Sequence, residues 1–425
     1  MAGQLKQHIG RFRWVICTVL LIGVTKNYMD RLVIGVLKNT LMVELGWSET
    51  DYGYLVMAFT FSYAIGMVVI GRIVDWLGTR LGYVFAMVTW SLAAMSHGFL
   101  SSLSGFIAAR SVLGFGEAGV FPASLKAVAE WFPKKERALA VGIFNAGTNV
   151  GAIITPPLVA WITYHWGWRM AFISLGGVGL IWLVLWMWIY KEPEDHPRVS
   201  KSELDYIKSD PVDPPGRMPW SSLLGYRQTW AFMLGKFITD PIWWFYLFWV
   251  PGFLQKEHGL KLMDVGLPLV VIYLIADVGS IAGGWASSSM IRHGRTPNAS
   301  RKLTMLACAI AVIPIVFAPS VSSTWGAVLL IGLATAAHQG FSSNLLTLPS
   351  DMFPAKAVAS VVGLGGMAGS LGGVLIARIV SYLLEKTGNY AIPFAIAGSA
   401  YLIGLLVIHL LVPKLQMATI KEARS

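Results

Sequence analysis

Three formal charges lie within an otherwise apolar stretch near the start of the chain. The segment VTKNYMDRLVIGV, residues 24–36, contains Lys26, Asp30 and Arg31. At the centre of a lipid-spanning helix each such charge costs about 2.5–3.5 kcal/mol, whereas an aliphatic residue gains only about 0.3–0.6 kcal/mol. The three side chains must therefore face partners or a wet cavity inside a helix bundle. Lys26 and Asp30 are spaced to pair on one helical face, and Arg31, about 100° away around the helix, is free for another partner.

A second charged pair lies in the segment RSVLGFGEAGVFPASLK, residues 110–126. Arg110 and Glu117 are two turns apart and share a helical face. If the first apolar run crosses outward and the fourth inward, then Asp30, Arg31 and Arg110 lie in the outer half of the membrane, and Glu117 lies near its middle. Two guanidinium groups and two carboxyl groups would then surround one cavity.

This set of groups favours proton-coupled transport of an anion. Arginine holds a carboxylate through two parallel hydrogen bonds and keeps its charge. A buried carboxyl that loses its arginine to a substrate anion can change its protonation state, which couples the anion to a proton. The alternatives are a structural ion-pair network around the first three charges and a static ion pair between Arg110 and Glu117.

Softer candidates lie within the other apolar runs. Lys236 and Asp240 are spaced as an ion pair, which we favour over a ligand site. Trp244 either packs in the core or stacks on a sugar ring, and His338 either titrates near neutral pH or hydrogen-bonds a neighbouring helix. The other polar side chains within apolar runs are Tyr63, Asn145, Asn149, Asp277, Gln339, Asn344 and Arg378. Tyrosine and asparagine suit the recognition of hydroxyl groups, whereas the aspartate and the arginine in this set receive no assignment.

The composition is typical of a membrane protein. Of 425 residues, 55% are hydrophobic and only 13% are charged, whereas an average soluble domain is about 25% charged. The mean hydropathy is +0.62. The two cysteines, Cys17 and Cys308, offer neither a disulfide framework nor a metal-ligand spacing. We expect no metal and no cofactor, with the proton as the coupling ion.

Apolar runs long enough to span a membrane fall into two groups of six. The first group lies at 13–36, 51–72, 81–100, 105–131, 137–162 and 169–190, and the second at 228–254, 264–290, 302–319, 325–349, 357–384 and 391–412. We therefore predict an all-α membrane protein with twelve transmembrane helices in two pseudo-symmetric six-helix bundles. The bundles comprise residues 1–190 and 228–425, and a linker rich in proline and charge joins them at 191–227.

Basic residues are concentrated in alternate loops. The loops that include both termini and the linker hold a large majority of the 33 Lys and Arg residues. By the positive-inside rule, both termini and the linker are cytoplasmic. The net charge of +11 therefore reflects orientation in the membrane and not nucleic-acid binding. We interpret the basic N-terminus as part of a retained first span, because the run that follows lacks a clear cleavage site.

An internal repeat relates the two groups of runs. KAVAEWFPKK at 126–135 has an echo in LTLPSDMFPAK at 346–356, with a Phe-Pro pair at the same place in each. Because each half contains an even number of runs, both halves keep the same orientation, as in transporters whose halves rock around a central site.

With these residues the chain resembles the anion:cation symporter family of the major facilitator superfamily, and within it the bacterial hexuronate transporters. The resemblance is carried by NYMDR, GEAGVFPASLKAVAEWFPKKERALAVGIFNAGTNVGAIITPPLVAW, TDPIWW, the HQ of AAHQGF and LPSDMFP. It implies the major facilitator fold and the import of a sugar-acid monoanion with protons across the bacterial inner membrane. We expect the transporter to act as a monomer.

The resemblance also implies roles for single residues. Arg31 would bind the substrate carboxylate, Asp30 and Glu117 would be protonation sites, and Arg110 would couple to Glu117. The residues that would contact the substrate's hydroxyl groups or ring are Tyr28, Tyr63, Asn145, Asn149, Trp244, His338, Gln339 and Asn344. The residues that match the superfamily pattern G-x3-D-x2-G-x-R are Gly71, Asp75, Gly78 and Arg80. We interpret this last pattern as gating and not as substrate contact.

Two glycine-rich stretches need a structural interpretation. GFGEAG at 114–119 spells a dinucleotide fingerprint, but it lies inside an apolar helix with no preceding strand. Close helix packing explains it better, because small residues let helix backbones approach each other. GLGGMAGSLGG at 363–373 is interpreted in the same way, as a flexible or closely packed gating helix.

Three alternatives remain at this point. A carrier for an aldonate or aldarate, such as galactonate or glucarate, stays open, because galactonate-type carriers have an acidic residue at the position of Asp30 that some hexuronate carriers lack. A non-transporting membrane sensor would need a soluble signalling domain, and only the short linker lies outside the apolar runs. A membrane enzyme would need a catalytic constellation, and the sequence contains no HExxH, GxSxG or Cys–His arrangement.

Overall fold

The computed structural model describes residues 10–209 and 220–418, and these form helices and turns without any strand. The helices of the first half are α1 (Phe12–Val36), α2 (Lys38–Leu45), α3 (Glu49–Ser96), α4 (Leu103–Glu117), α5 (Val120–Trp131), α6 (Lys134–Asn145), α7 (Gly147–Trp166) and α8 (Trp168–Ile189). The connection contains α9 (Lys201–Ile207) and α10 (Trp220–Leu223). The helices of the second half are α11 (Arg227–Glu257), α12 (Gly266–Arg292), α13 (Pro297–Val312), α14 (Thr324–Leu345), α15 (Leu348–Met352), α16 (Ala355–Thr387) and α17 (Ala391–Leu411).

Twelve crossings can be traced along these helices. Eight helical stretches are long and apolar enough to span a membrane, and one of them, Glu49–Phe99, contains 51 residues and two predicted spans. Helices α1, α11 and α14 add three crossings of 25, 31 and 22 residues, each at least about 33 Å long. These three are less apolar because they carry many of the candidate polar side chains. The predicted all-α, twelve-helix architecture is confirmed.

The internal repeat is visible in the backbone. Helix α5 ends at Trp131, the next residue, Phe132, is extended (φ −127°, ψ 135°), and Pro133 (φ −65°, ψ 152°) precedes α6. In the second half α15 ends at Met352, Phe353 is extended (φ −133°, ψ 148°), and Pro354 (φ −66°, ψ 154°) precedes α16. Proline fixes its own φ and keeps the residue before it extended, so the same Phe-Pro pair makes the same break in both halves.

The fourth crossing is interrupted in its middle. Helix α4 ends at Glu117 and α5 begins at Val120. Pro122 has no backbone N–H to donate to the carbonyl group of Ala118, so a regular helix cannot continue through this point. The break follows directly after Glu117 and leaves this carboxyl group at the end of a helix within the bundle.

The two halves are joined at the end of the molecule opposite the linker, which we call the far end. The Tyr52 hydroxyl of α3 donates a hydrogen bond of 2.8 Å to the carbonyl oxygen of Phe248 in α11. The Asn39 amide donates to the carbonyl oxygen of Gly252 at 3.2 Å. A 3.2 Å hydrogen bond joins Lys38 Nζ to the Tyr390 hydroxyl. These contacts between α1–α3 and α11–α17 hold the far end closed.

The linker helix α9 is docked on the first half at the opposite end, which we call the linker end. Glu203 Oε1 accepts hydrogen bonds from both the backbone N–H and Nη1 of Arg13, each 3.1 Å long. Arg13 Nε also lies 2.8 Å from Glu136 Oε2. Part of the predicted linker, 210–219, and the predicted cytoplasmic tails at 1–9 and 419–425 lie outside the described residues, and the division at 190 and 228 stays a prediction.

Candidate functional site

Arg31 lies at the centre of the candidate site, where α1, α3, α4 and α11 meet. Its Nε donates a 2.9 Å hydrogen bond to Glu117 Oε2, and its Nη2 lies 3.4 Å from Asn27 Oδ1, one turn earlier on α1. Arg31 is 3% exposed and Glu117 is fully buried. A cation and a carboxylate from two helices thus pair in the interior, where neither charge is tolerated alone.

Four aromatic rings enclose the Arg31 guanidinium. Its Cζ lies 4.8 Å from the ring centroids of Tyr28 and Tyr63, 5.5 Å from that of Phe59 and 5.4 Å from that of Trp244. These distances are within the range of cation–π attraction. Trp244 comes from α11 in the second half, so the ring cluster connects the two halves at the depth of Arg31.

Lys26 and Asp30 form the ion pair predicted from their spacing. Lys26 Nζ contacts Asp30 Oδ2, and the two side chains are only 2% and 1% exposed. Helix α8 leaves room for the lysine at Gly179, where an ideal Cβ would lie 3.1 Å from Lys26 Nζ. Among the described residues, Asp30 Oδ1 has no hydrogen-bond partner, so this carboxylate keeps one free acceptor.

Arg110 does not form the ion pair with Glu117 that the sequence suggested. Its side chain is fully buried, yet none of its three nitrogen atoms has a hydrogen-bond partner among the described residues. Its Cζ lies 4.3 Å from the Phe59 ring and 5.7 Å from the Phe248 ring. Two helical turns separate Arg110 from Glu117 by about 10 Å along α4, whereas Arg31 approaches the carboxylate directly from α1.

The buried charges around Arg31 therefore leave one cation without a hydrogen-bonded carboxylate among the described residues. Lys26 is paired with Asp30 and Arg31 with Glu117, while Arg110 lies over the rings of Phe59 and Phe248. A buried guanidinium without an acceptor is strongly disfavoured, and such groups in native proteins mark strain, a functional role or a bound water or ion. The arrangement can accept one carboxylate from a ligand.

Polar candidates of the second half are divided between two environments. His338 on α14 stacks on Trp243, with ring centroids 5.0 Å apart and an interplanar angle of 8°, and its Nδ1 lies 2.6 Å from the Tyr401 hydroxyl. Asn344 is fully buried and donates to the carbonyl oxygens of Gly283 and Gly340, at 3.1 and 2.9 Å. That contact between α12 and α14 explains Asn344 by packing, whereas Gln339 is half-buried.

Asn145 and Asn149 lie where α6 ends and α7 begins. Asn145 is exposed and Asn149 is half-buried. Thr148 Oγ1 donates to the backbone carbonyl of Asn145 at 2.8 Å. Helix α7 packs closely on α1, because an ideal Cβ on Gly151 would lie 2.8 Å from Tyr28 Cβ. Asn149 is two residues from Gly151 and therefore lies on a different face of α7.

The predicted gating motif lies at the linker end, in the reversal of α3. Gly78 has φ +77°, a conformation that other residues rarely adopt, and it joins the two spans of α3. Asp75 Oδ1 lies 3.6 Å from Lys126 Nζ of α5, and Arg80 Nη2 donates to the Met187 carbonyl of α8 at 2.7 Å. These charges hold neighbouring helix ends as expected, and the gating role stays a prediction.

The glycine-rich stretches pack helices closely, as predicted. An ideal Cβ on Gly114 would lie 2.3 Å from the Phe59 carbonyl oxygen, and one on Gly116 would lie 2.8 Å from the Trp90 nitrogen. The first contact brings α4 against the part of α3 that carries Phe59 and Tyr63. On α16, a Cβ on Gly372 would lie 2.4 Å from the Phe237 carbonyl oxygen, so α11 and α16 also approach at backbone distance.

The remaining charged residues fall outside the Arg31 cluster. Lys236 Nζ and Asp240 Oδ2 form the predicted ion pair at 2.7 Å. Asp277 is half-buried on α12, and Arg378 is exposed on α16 with its Cζ 5.9 Å from the Tyr382 ring.

Three neighbours of the site were missed by sequence reasoning. Asn27 is one turn from Arg31 on α1, and Phe59 is one turn from Tyr63 on α3. This spacing places each pair on one helical face and could have revealed both neighbours. Tyr401 lies on α17, far along the chain from His338, and no local pattern connects the two.

Comparisons with known proteins agree on one family. The family model of the Major Facilitator Superfamily matches residues 20–377. The chain is 34% identical over 402 residues to the hexuronate transporter of Escherichia coli (strain K12), covering 93% of each chain. It is 30% identical to the D-galactonate transporter of Escherichia coli O6:H1, covering 95% of this chain and 96% of the relative. A bacterial homologue of the human lysosomal transporter Spinster, solved in an inward-facing and occupied conformation, has the same fold, with TM-score 0.71, 19% identity and 96% coverage of both chains.

Proposed function

The chain belongs to the Major Facilitator Superfamily and is a membrane transporter and not an enzyme, and we propose that it imports a sugar-acid monoanion together with protons. The hexuronates glucuronate and galacturonate are the substrates that we favour. The observation that carries the proposal is the buried Arg31–Glu117 ion pair beside the unpartnered Arg110.

The charges of the site account for coupling. Lys26, Asp30, Arg31, Glu117 and Arg110 together carry one excess positive charge, which a substrate carboxylate neutralises. The proton is needed for a different reason, because Glu117 would be left as a buried, unpaired carboxylate once the substrate has taken its place on Arg31. The substrate carboxylate takes the place of Glu117 on Arg31, with Arg110 as the second cation, and Glu117 accepts the proton.

Asp30 is the second proposed protonation site. It already shares its charge with Lys26, and its second oxygen has no partner among the described residues. A proton on Asp30 would release Lys26 within the same bundle of helices. The number of protons carried for each anion then depends on whether both carboxyl groups load.

The rest of the sugar acid is held by hydroxyl groups, amides and rings. Tyr28 and Tyr63 already contact Arg31, and Trp244 offers a ring face from the second half. Asn145, Asn149, His338 and Gln339 are the further contacts that we propose, and Asn344 would have to leave its carbonyl partners to join them. Because both halves contribute, loading the site can bias the rocking of one half against the other.

We further propose that the protein acts as a monomer in the bacterial inner membrane with both termini cytoplasmic. The far end then faces outward and is the closed side here. Import would alternate this state with one in which the far end opens and the linker end closes, through contacts that include Asp75 and Arg80.

A second candidate is transport of an aldonate. The relative named as a D-galactonate transporter is 30% identical over nearly the whole chain. An aldonate is also a monocarboxylate, so the charge argument fits it equally, and the acidic residue at Asp30 resembles galactonate-type carriers.

Uptake into proteoliposomes distinguishes these candidates. Labelled glucuronate and galacturonate are offered with and without an inward proton gradient and competed with galactonate and glucarate. Gradient-driven uptake that only hexuronates block supports the favoured substrate. Competition only by galactonate moves the proposal to an aldonate, and uptake that ignores the gradient contradicts proton coupling.

A further inference from the structure

The second half carries an ion pair of its own, which differs in accessibility from those of the first half. Lys236 and Asp240 lie one turn apart on α11, as Lys26 and Asp30 do on α1. The side chains of Lys236 and Asp240 are 10% and 21% exposed, whereas those of the first-half pair are 2% and 1% exposed. The second pair is therefore the more accessible of the two.

The pair lies close to the candidate site along α11. Trp244, whose ring is 5.4 Å from Arg31 Cζ, is one turn beyond Asp240 and two turns beyond Lys236. The two charges are therefore displaced from Trp244 by about 6 and 12 Å along the helix, toward the linker end. A ligand whose carboxylate is held at Arg31 and whose ring stacks on Trp244 lies about one helical turn from Asp240, measured along α11.

Helix α16 is shaped around this pair. An ideal Cβ on Gly369 would lie 2.3 Å from Asp240 Oδ2, and one on Gly365 would lie 3.0 Å from Lys236 Cδ. Neither position can carry a side chain while the pair keeps its geometry. The adjacent Gly366 faces Met67 of α3 at 3.0 Å, one turn from Tyr63, so this part of α16 borders the first half and the space between the halves.

Resting on the proposed function, we propose that Asp240 masks Lys236 and so makes the site select monocarboxylate over dicarboxylate sugar acids. Among the described buried charges around Arg31, Arg110 is the cation without a hydrogen-bonded carboxylate, and the site can neutralise one carboxylate. A second carboxylate at the other end of an aldarate meets Asp240, which repels it and occupies the lysine that would otherwise bind it. Rejection by a like charge is a common basis of specificity.

The test measures how strongly glucarate and unlabelled glucuronate each inhibit the uptake of labelled glucuronate. The quantity compared between variants is the ratio of the two inhibition constants, glucarate to glucuronate. Asp240→Asn frees Lys236 and should strengthen inhibition by glucarate, relative to inhibition by glucuronate, by about tenfold or more. The double variant Lys236→Met with Asp240→Asn removes the freed cation and should return the ratio to that of the wild type. Glu194→Gln, in the exposed linker pair with Lys208, is the matched control and should leave the ratio unchanged.

Two results overturn the proposal. One is an unchanged ratio in Asp240→Asn, and the other is an equal change in the single and double variants. If Asp240→Asn does not yield folded protein, Lys236→Met alone tests the same idea in the opposite direction. It leaves the Asp240 charge without its lysine and should weaken inhibition by glucarate, relative to inhibition by glucuronate, by about tenfold. An unchanged ratio in Lys236→Met contradicts the proposed masking of Lys236 by Asp240.

The wild-type protein separates this proposal from the proposed function. If the wild type takes up galactonate but no hexuronate, the hexuronate assignment fails, and the same ratio is measured with galactonate and galactarate. The masking role of Asp240 is then supported or overturned by the variants as before.

Discussion

Arg31 is held by one carboxylate and four rings, which makes its charge both buried and exchangeable. The Glu117 carboxylate satisfies Nε at 2.9 Å, and the rings of Tyr28 and Tyr63 lie within cation–π range. In the proposed mechanism a substrate carboxylate replaces Glu117 while the guanidinium stays within this enclosure, and binding and proton uptake take place at one residue pair.

Arg31→Ala should remove anion binding. The loss of a buried, hydrogen-bonded charge partner costs about 2–5 kcal/mol, so affinity should fall at least about thirtyfold. Direct binding of labelled substrate to purified protein measures this, with Arg378→Ala on the exposed face of α16 as the control. Unchanged affinity would make Arg31 a structural ion-pair partner only.

Arg110→Met should separate stability from function. Burial of a guanidinium without acceptors destabilises the fold, and methionine fills a similar volume without a charge. The variant should therefore melt at a higher temperature in detergent than the wild type while it loses uptake. A lower melting temperature together with normal uptake would show that Arg110 serves packing and not the substrate.

At the scale of helices, close packing between α3 and α4 sets the position of the site. Glycines let α4 approach the backbone of α3, and the break before Pro122 ends α4 at Glu117. Both features place the carboxylate opposite Arg31. A change in helix separation should therefore affect transport even though no charge is altered.

Gly114→Ala should destabilise the protein and weaken transport. The added Cβ would lie 2.3 Å from the Phe59 carbonyl oxygen, and overpacking of this kind typically costs about 1–3 kcal/mol. Gly177→Ala on α8 is the matched control, because nothing lies within 4 Å of its ideal Cβ. Thermal melting and uptake of both variants check this, and equal behaviour of the two would contradict it.

The contact between the linker helix α9 and the first half should weaken at acidic pH, because His196 becomes protonated. His196 lies outside the membrane-spanning helices. Burial against Phe12 and Trp131 lowers the pKa of His196, and nearby Lys191 and Arg198 lower it further, while Glu203 opposes them. The hydrogen bond between Nε2 and the Ile189 carbonyl oxygen also opposes this lowering of the pKa. At Nδ1 the imidazole accepts from the Arg198 N–H, which requires its neutral form. Its stabilisation is therefore present above its ordinary pKa of about 6.5 and is lost as pH falls through the lowered value.

Hydrogen exchange of α9 amides between pH 7.5 and pH 5, corrected for the intrinsic rate, measures this loosening. His196→Gln cannot take a proton and should show a flat profile. A wild-type profile as flat as that of the variant would exclude His196 as the titrating group.

At the scale of the whole molecule, two six-helix halves close at the far end, and both contribute side chains to the candidate site around Arg31. Twelve runs, the Phe-Pro repeat and the local pairs Lys26–Asp30 and Lys236–Asp240 could be predicted, because each depends on periodicity or on spacing within one helix. The Arg31–Glu117 pair could not, since it joins residues 86 positions apart. The sequence suggests a pair between Arg110 and Glu117 because the two share a helical face. That spacing does not reveal that Arg31, on another helix, binds the Glu117 carboxylate instead.

The exchange of Arg31 between Glu117 and the substrate is tested most directly by Glu117→Gln in proteoliposomes. Glutamine keeps the shape of the side chain but cannot carry a proton. The variant should lose gradient-driven accumulation of the anion and retain exchange of labelled for unlabelled substrate across the membrane. Full accumulation by Glu117→Gln would contradict the account, because the coupling proton would then have to be carried elsewhere.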